Sequence, residues 1–244
     1  MGGWWLGKLL LNLIRWTYLN NIQLVNKSKI LSQNKYTQLL TILIGNFILV
    51  PFLQGNIGEL LSSAIFLYAI IIIVKTFSLK TRFIQVFSGI ACLAFLLEIL
   101  GRWGLYETWT VFFWLLIQAI YIIYLAVAAY LILQDIFLSE RVTKDTIRGS
   151  ICVYFLIGFI WSLLYGITAS LDSSNFSQPI VAEGSFNKAI YFSFTTLTTL
   201  GYGDIIPVSP LAKMLTNLEA IIGQMYPAIL IATLVGMYTS QRTK

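Results

Sequence analysis

From Thr110 to Gln134 the chain carries no charged residue. A stretch that long and that apolar is stable only away from water, where a helix or a closed barrel pairs every backbone N–H and C=O internally. Five further apolar segments accompany it, from about Gln38 to Leu53, Leu60 to Phe77, Phe83 to Leu100, Ile151 to Ser170 and Leu211 to Tyr238. Only 11% of the 244 residues are charged and 58% are hydrophobic, whereas a soluble domain is about 25% charged. The expected fold is an all-α membrane protein with six transmembrane helices.

The basic residues orient these spans. Lys8, Arg15, Lys27, Lys29 and Lys35 precede the first span. Lys75, Lys80 and Arg82 separate the second from the third, and Arg141, Lys144 and Arg148 separate the fourth from the fifth. Arg242 and Lys244 follow the sixth. The opposite loops hold only Arg102, Lys188 and Lys213. Lys and Arg accumulate on the cytoplasmic side, so both termini are expected in the cytoplasm, with the protein in the cell membrane. Residues 1–36 are expected to form an amphipathic segment in the inner interface, with Lys8, Asn12 and Arg15 on one face and Trp4, Trp5, Leu9, Leu13 and Trp16 on the rest. The alternative is an extension packed on the rest of the protein. A four-span unit over residues 37–140 and a second unit over residues 141–244 meet at the charged stretch SERVTKDTIRG.

Composition also excludes function classes. The net charge of +6 is not gathered into a basic cluster with interleaved aromatics, so no nucleic-acid partner is expected. Histidine is absent, and Cys92 and Cys152 both fall inside apolar spans, which gives neither zinc-ligand spacing nor paired catalytic groups. The chain is expected not to be an enzyme and to need no cofactor; membrane lipids are its expected surroundings.

Between the last two spans the pattern changes. Leu171 to Gly184 is polar, with Pro179 and Gly184 as turn signals and Ser185 as a helix cap. Phe186 to Thr198 is too short and too Thr-rich to span, and suits a re-entrant half-helix buried in protein. It runs into Thr195-Thr196-Leu197-Thr198-Thr199-Leu200-Gly201-Tyr202-Gly203-Asp204. The string TTLTTLGYGD resembles the selectivity filter of the potassium channel family, over about residues 150–240. The link to potassium comes from that resemblance, since TVGYG loops in such channels replace the ion's hydration shell with backbone carbonyls. It implies a re-entrant pore helix and filter in a homotetramer, with potassium ions bound by the carbonyls of Thr199, Leu200, Gly201 and Tyr202 and by the Thr199 hydroxyl. Gly201 and Gly203 permit the alternating backbone, because glycine accepts positive φ. Leu200 stands where the family more often has valine. Tyr202 would brace against Tyr191 and Phe192. Asp204 would sit at the outer mouth, bonded by a Tyr hydroxyl where many relatives use Trp, and Thr195 takes the place of a bracing Glu found in some prokaryotic relatives. Thr198 completes the support. The pore helix would aim the negative end of its dipole at a central cavity.

The last span carries further marks. Gly223 lies 22 residues beyond Gly201, the spacing of the inner-helix hinge glycine in prokaryotic potassium channels, and Pro227 follows one turn later. Together they suggest a bend; the alternative is that Gly223 allows close helix packing. Glu219 is an acid deep in an apolar span, expected to brace the back of the pore helix, for instance on a Thr hydroxyl, or else to add field to the cavity. Gln224, Pro227 and Ile231 are candidates for lining that cavity. The fourth span has none of the regularly spaced arginines of a voltage sensor, and Glu98, Arg102 and Asp135 look interfacial. The expected function is passive potassium conduction without voltage gating. The alternatives are a voltage- or ligand-gated potassium channel and a non-conducting regulatory subunit that keeps the pore fold. Replacing Gly201 with Ala is predicted to abolish selective conduction, measured as ion flux into liposomes; normal selectivity in that variant would count against the filter assignment.

Overall fold

The computed structural model describes residues 35–52, 55–76, 81–102, 110–139, 141–181 and 187–242. The expected interfacial segment over residues 1–36, apart from its last two residues, and the expected cap Ser185 lie outside them. Helices dominate: α1 (Lys35–Leu49), α2 (Gly55–Thr76), α3 (Thr81–Arg102), α4 (Thr110–Leu138), α5 (Lys144–Leu171), α6 (Asn187–Leu197) and α7 (Pro210–Arg242). Short 3-10 turns follow α1 and α5, and an isolated antiparallel bridge joins Phe176 to Pro207. Among the described residues there is no β-sheet.

Among the described residues, three helices are long and apolar enough to cross a membrane, over Val111–Leu138, Lys144–Leu171 and Pro210–Gln241, and the chain is an integral membrane protein. Tyr36–Leu49 and Ser88–Gly101 are shorter apolar stretches. The 15 residues of α1 rise roughly 22 Å at 1.5 Å each, less than the ~30 Å of a hydrocarbon core.

Local chemistry sets the helix starts. Thr143 caps α5 through a capping box. Its hydroxyl accepts from the Thr146 amide at 3.1 Å, and the Thr146 hydroxyl accepts from the Thr143 amide at 3.2 Å. α1 begins against α5. The Tyr36 amide, in the first turn of α1, donates to Asp145 Oδ1 at 3.2 Å, so a carboxylate from another helix satisfies an amide that the first turn leaves open. The Tyr36 hydroxyl donates to Asp135 Oδ2 at 2.7 Å, and Arg148 Nη1 donates to Thr37 Oγ1 at 2.8 Å. Gly149 admits the Tyr36 ring, since a Cβ there would sit 2.9 Å from it. α1, α4 and α5 are thereby locked together where the two expected units meet. Glu98 accepts from the Ser63 hydroxyl at 2.6 Å and the Tyr121 hydroxyl at 3.2 Å, joining α2, α3 and α4.

α5 is the hub of the core. It meets α4, α1 and α6, and to a smaller extent α7. Phe194 of α6 lies 4.5 Å from Phe47 of α1 and 5.5 Å from Phe159 of α5, centroid to centroid. Its ring fills the space left by Gly158, where a Cβ would come within 2.6 Å of Phe194 Cζ. Gly158→Ala is predicted to overpack this joint and destabilise the fold by about 1–3 kcal/mol, with Phe194→Leu in the same chain recovering most of the loss. Thermal unfolding of the detergent-solubilised protein measures both; a Gly158→Ala variant that melts like the parent would contradict this packing.

Candidate functional site

α6 is an 11-residue helix whose inner end is enclosed by protein. A helix leaves its last four carbonyls without internal partners, and here each one is satisfied. The Phe194 carbonyl accepts from the Thr198 amide at 3.1 Å and the Thr198 hydroxyl at 2.6 Å. The Thr195 carbonyl accepts from two amides, Leu200 at 2.8 Å and Gly201 at 3.1 Å. The Thr196 carbonyl accepts from the Thr199 amide at 2.9 Å, and the Leu197 carbonyl from the Tyr154 hydroxyl at 3.3 Å. The strand after the helix is therefore folded back over the helix end by its own amides.

That strand alternates. Thr199 has φ +56°, Gly201 +51° and Gly203 +79°, and no other described residue outside glycine has positive φ. Leu200 and Tyr202 between them keep ordinary values. Such alternation turns successive carbonyls toward one side of an extended chain. Glycine adopts it freely, but for a β-branched residue such as Thr199 it is a strained conformation. Thr198, Thr199, Leu200, Gly201, Tyr202, Gly203 and Asp204 are all exposed in a single chain.

The outer part of the strand is held from behind. The rings of Tyr191 and Tyr202 stack with centroids 6.3 Å apart and planes 4° from parallel, and the Tyr191 side chain lies within hydrogen-bonding reach of Asp204. Phe192 is buried in a separate aromatic group with Tyr165 and Phe176. The Thr195 hydroxyl donates to the Phe192 carbonyl of its own helix at 3.0 Å, leaving the bracing of Thr195 to its backbone. Gln178 Nε2 donates to the Asp204 carbonyl at 2.7 Å, and the Ser177 amide to the Ile206 carbonyl at 3.0 Å. This loop hangs from the end of α5, where Asp172 accepts from the Ser174 hydroxyl at 2.7 Å and the Ser174 amide at 2.9 Å. Those two bonds hold the exposed Asp172 carboxyl below the usual carboxylate range.

α7 starts with Ser209 as cap, its hydroxyl accepting from the Ala212 amide at 3.1 Å, and Pro210 as first helical residue, where a missing N–H costs nothing. One stripe of α7 meets the chain: Ala212, Thr216, Glu219, Gly223 and Tyr226, spaced by three and four. Gly223 packs against the end of α6. A Cβ there would lie 1.9 Å from the Leu197 carbonyl oxygen, so this position needs glycine for close approach. Pro227 has no N–H to give the Gly223 carbonyl one turn earlier, and α7 nevertheless runs unbroken through both. Gln224 and Ile231 are exposed on other faces of the helix.

Glu219 is completely buried. The Tyr165 hydroxyl lies 2.5 Å from Oε2 and the Ser193 hydroxyl 2.6 Å from Oε1. The Glu219 contact with α6 is thus to a serine, not to a threonine. Sequence reasoning missed Ser193, Tyr165 and Tyr154; a usable signal was present, since each is polar and sits within an apolar helix. It also missed the positive φ of Thr199, which no composition rule announces for a threonine.

Comparison with known proteins gives the following. Residues 149–240 match the family described as ion channel. The inward rectifier potassium channel Kirbac3.1 of Paramagnetospirillum magnetotacticum is 41% identical over 56 residues, 23% of this chain and 19% of that one. The voltage-gated potassium channel Kch of Escherichia coli (strain K12) is 38% identical over 64 residues, 26% of this chain and 15% of that one. The potassium voltage-gated channel protein shk-1 of Caenorhabditis elegans is 28% identical over 99 residues, 40% of this chain and 18% of that one. The matches thus span less than a fifth of these relatives' lengths. No solved structure matches.

Gly223→Ala is predicted to be far more damaging than a hinge substitution would be. The clash is with backbone and cannot be relieved by a rotamer, so the thermal stability of the detergent-solubilised protein should fall. A variant that melts like the parent would contradict this close approach and leave a hinge role for Gly223.

Proposed function

Because residues 149–240 match the ion-channel family, we propose that this chain forms a potassium-selective pore as a homotetramer. Four strands of residues 199–203 face a shared axis. The carbonyls of Thr199, Leu200, Gly201 and Tyr202, with the Thr199 hydroxyl, take the place of the water shell of a potassium ion. Neutral carbonyl dipoles suit this role, because they bind a dehydrated cation and still release it to the next site. The reading rests on one observation, the alternation of positive φ at Thr199, Gly201 and Gly203.

Two features support self-association. The strand is exposed in the single chain, with Leu200 at 57% and Tyr202 at 68%. α7 offers large apolar residues away from its one packed stripe, among them Leu218, Ile222 and Met225, which neighbouring copies would cover. Closed rotational symmetry is the usual outcome for such assemblies. In this arrangement Tyr191 and Tyr202 brace the filter, Asp204 lies at the outer mouth, and Pro227, Gln224 and Ile231 line the cavity below. The chain then crosses the cell membrane six times with both termini in the cytoplasm, a reading that the placement of its basic residues supports. α4 carries no arginine or lysine and its one charge, Asp135, lies near its end, so it has no array of basic residues for a membrane potential to move, and the pore is read as not voltage-gated. The relatives named above are potassium channels by name, which supports potassium as the ion.

The test is flux into liposomes containing the purified full chain. Potassium is expected to equilibrate down an imposed gradient while sodium does not. Equal permeability to both would reject selectivity.

A further inference from the structure

The hydroxyl of Ser193 lies between two oxygens that both look like acceptors. Its Oγ is 2.7 Å from the Gly158 carbonyl oxygen and 2.6 Å from Glu219 Oε1. A serine hydroxyl owns one hydrogen, and a backbone carbonyl can only accept. If Ser193 gives its hydrogen to Glu219, two oxygen lone pairs face each other at 2.7 Å on the Gly158 side. If it gives it to Gly158, an ionised Oε1 faces a lone pair at 2.6 Å. Both separations are those of full O–H···O bonds, so a hydrogen split between the two does not account for them. One more hydrogen is needed, and Oε1 is the atom that can carry it. The surroundings agree. Glu219 is 0% exposed, and its described partners are two hydroxyls, with no cation to offset the cost of an ionised carboxylate inside the membrane.

We propose that Glu219 is a neutral carboxylic acid in the working protein, donating from Oε1 to Ser193 and accepting at Oε2 from Tyr165. Each hydrogen then has one place. Glu219 gives to Ser193, Ser193 gives to the Gly158 carbonyl, and Tyr165 gives to Glu219. The relay ties α7, α6 and α5 at one depth, one turn from the Gly223 contact and two residues before Thr195, whose carbonyl anchors the strand. Glu219 is thus a positioning residue for α6, and as a neutral group it adds no negative field to the cavity. Its effect on conduction rests on the channel reading; its protonation does not.

Two measurements on the full chain in lipid test this. In infrared difference spectra, the parent is expected to show a protonated-carboxyl C=O band that is absent in Glu219→Gln and shifted in Tyr165→Phe. Finding only ionised-carboxylate bands in the parent-minus-Glu219→Gln spectrum would overturn the proposal. For positioning, Glu219→Ala strands the Ser193 and Tyr165 hydroxyls and is expected to lower the folded, conducting fraction about tenfold or more, as for buried groups left unpaired. Glu219→Gln, whose NH2 donates to Ser193 and whose carbonyl accepts from Tyr165, is expected to restore it. A Gln variant as impaired as the Ala variant would show that a charge, not a hydrogen, is needed. A band that is present in a chain passing no ions would keep the neutral acid and reject the channel instead.

Discussion

A helix that stops inside a membrane has no water to satisfy its last carbonyls. α6 ends among buried residues of the protein, and its four terminal carbonyls take their donors from the strand that follows and from Tyr154. The strand cannot adopt an arbitrary shape while its amides at Thr199, Leu200 and Gly201 are held by those carbonyls. Two of them converge on the Thr195 carbonyl, which forces the chain to double back tightly, and the positive φ values at Thr199 and Gly201 accompany that reversal. The geometry that could hold a cation is therefore a by-product of finishing a short helix in an apolar medium.

Everything around α6 serves to hold that end in place. Phe194 fills the notch at Gly158 and touches Phe47 of α1, so the first described helix reaches the back of the candidate filter. Gly223 brings α7 into backbone contact with Leu197. Ser193, Glu219 and Tyr165 cross-link three helices through hydroxyls and one carboxyl. The interior faces of α5 and α6 are taken up by these contacts, whereas most of α7 and the whole strand remain uncovered in one chain. Rigid on one side and bare on the other is the distribution expected of a subunit that completes its site with copies of itself.

Much of this was legible in the sequence. Apolar runs are a one-dimensional signal, and each of the six segments contains the core of a helix in the structure. The boundaries were less legible. Hydropathy placed the fifth segment from Ile151, but the helix begins at Lys144, because the Thr143–Thr146 box supports about two polar turns ahead of it. The first described helix likewise includes Lys35–Thr37 ahead of Gln38, with the Tyr36 amide on a carboxylate 109 residues away. Such partners leave no periodicity to read. The string TTLTTLGYGD announced the strand, and its glycines announced two of the three positive φ values; Thr199 gave no warning. Gly223 admitted two readings, and the backbone of Leu197 lying where its Cβ would be favours packing. Phe192 belonged to the inner aromatic group, since neighbouring positions on a short helix face different ways.

The most direct measurement is a density map of the purified assembly in potassium and again with potassium withdrawn. Four chains around one axis are expected, with cation density between the rings of Thr199, Leu200, Gly201 and Tyr202 carbonyls that fades when the ion is removed. An assembly whose 199–203 strands face lipid or a different protein surface, with no ion on a common axis, would contradict the account.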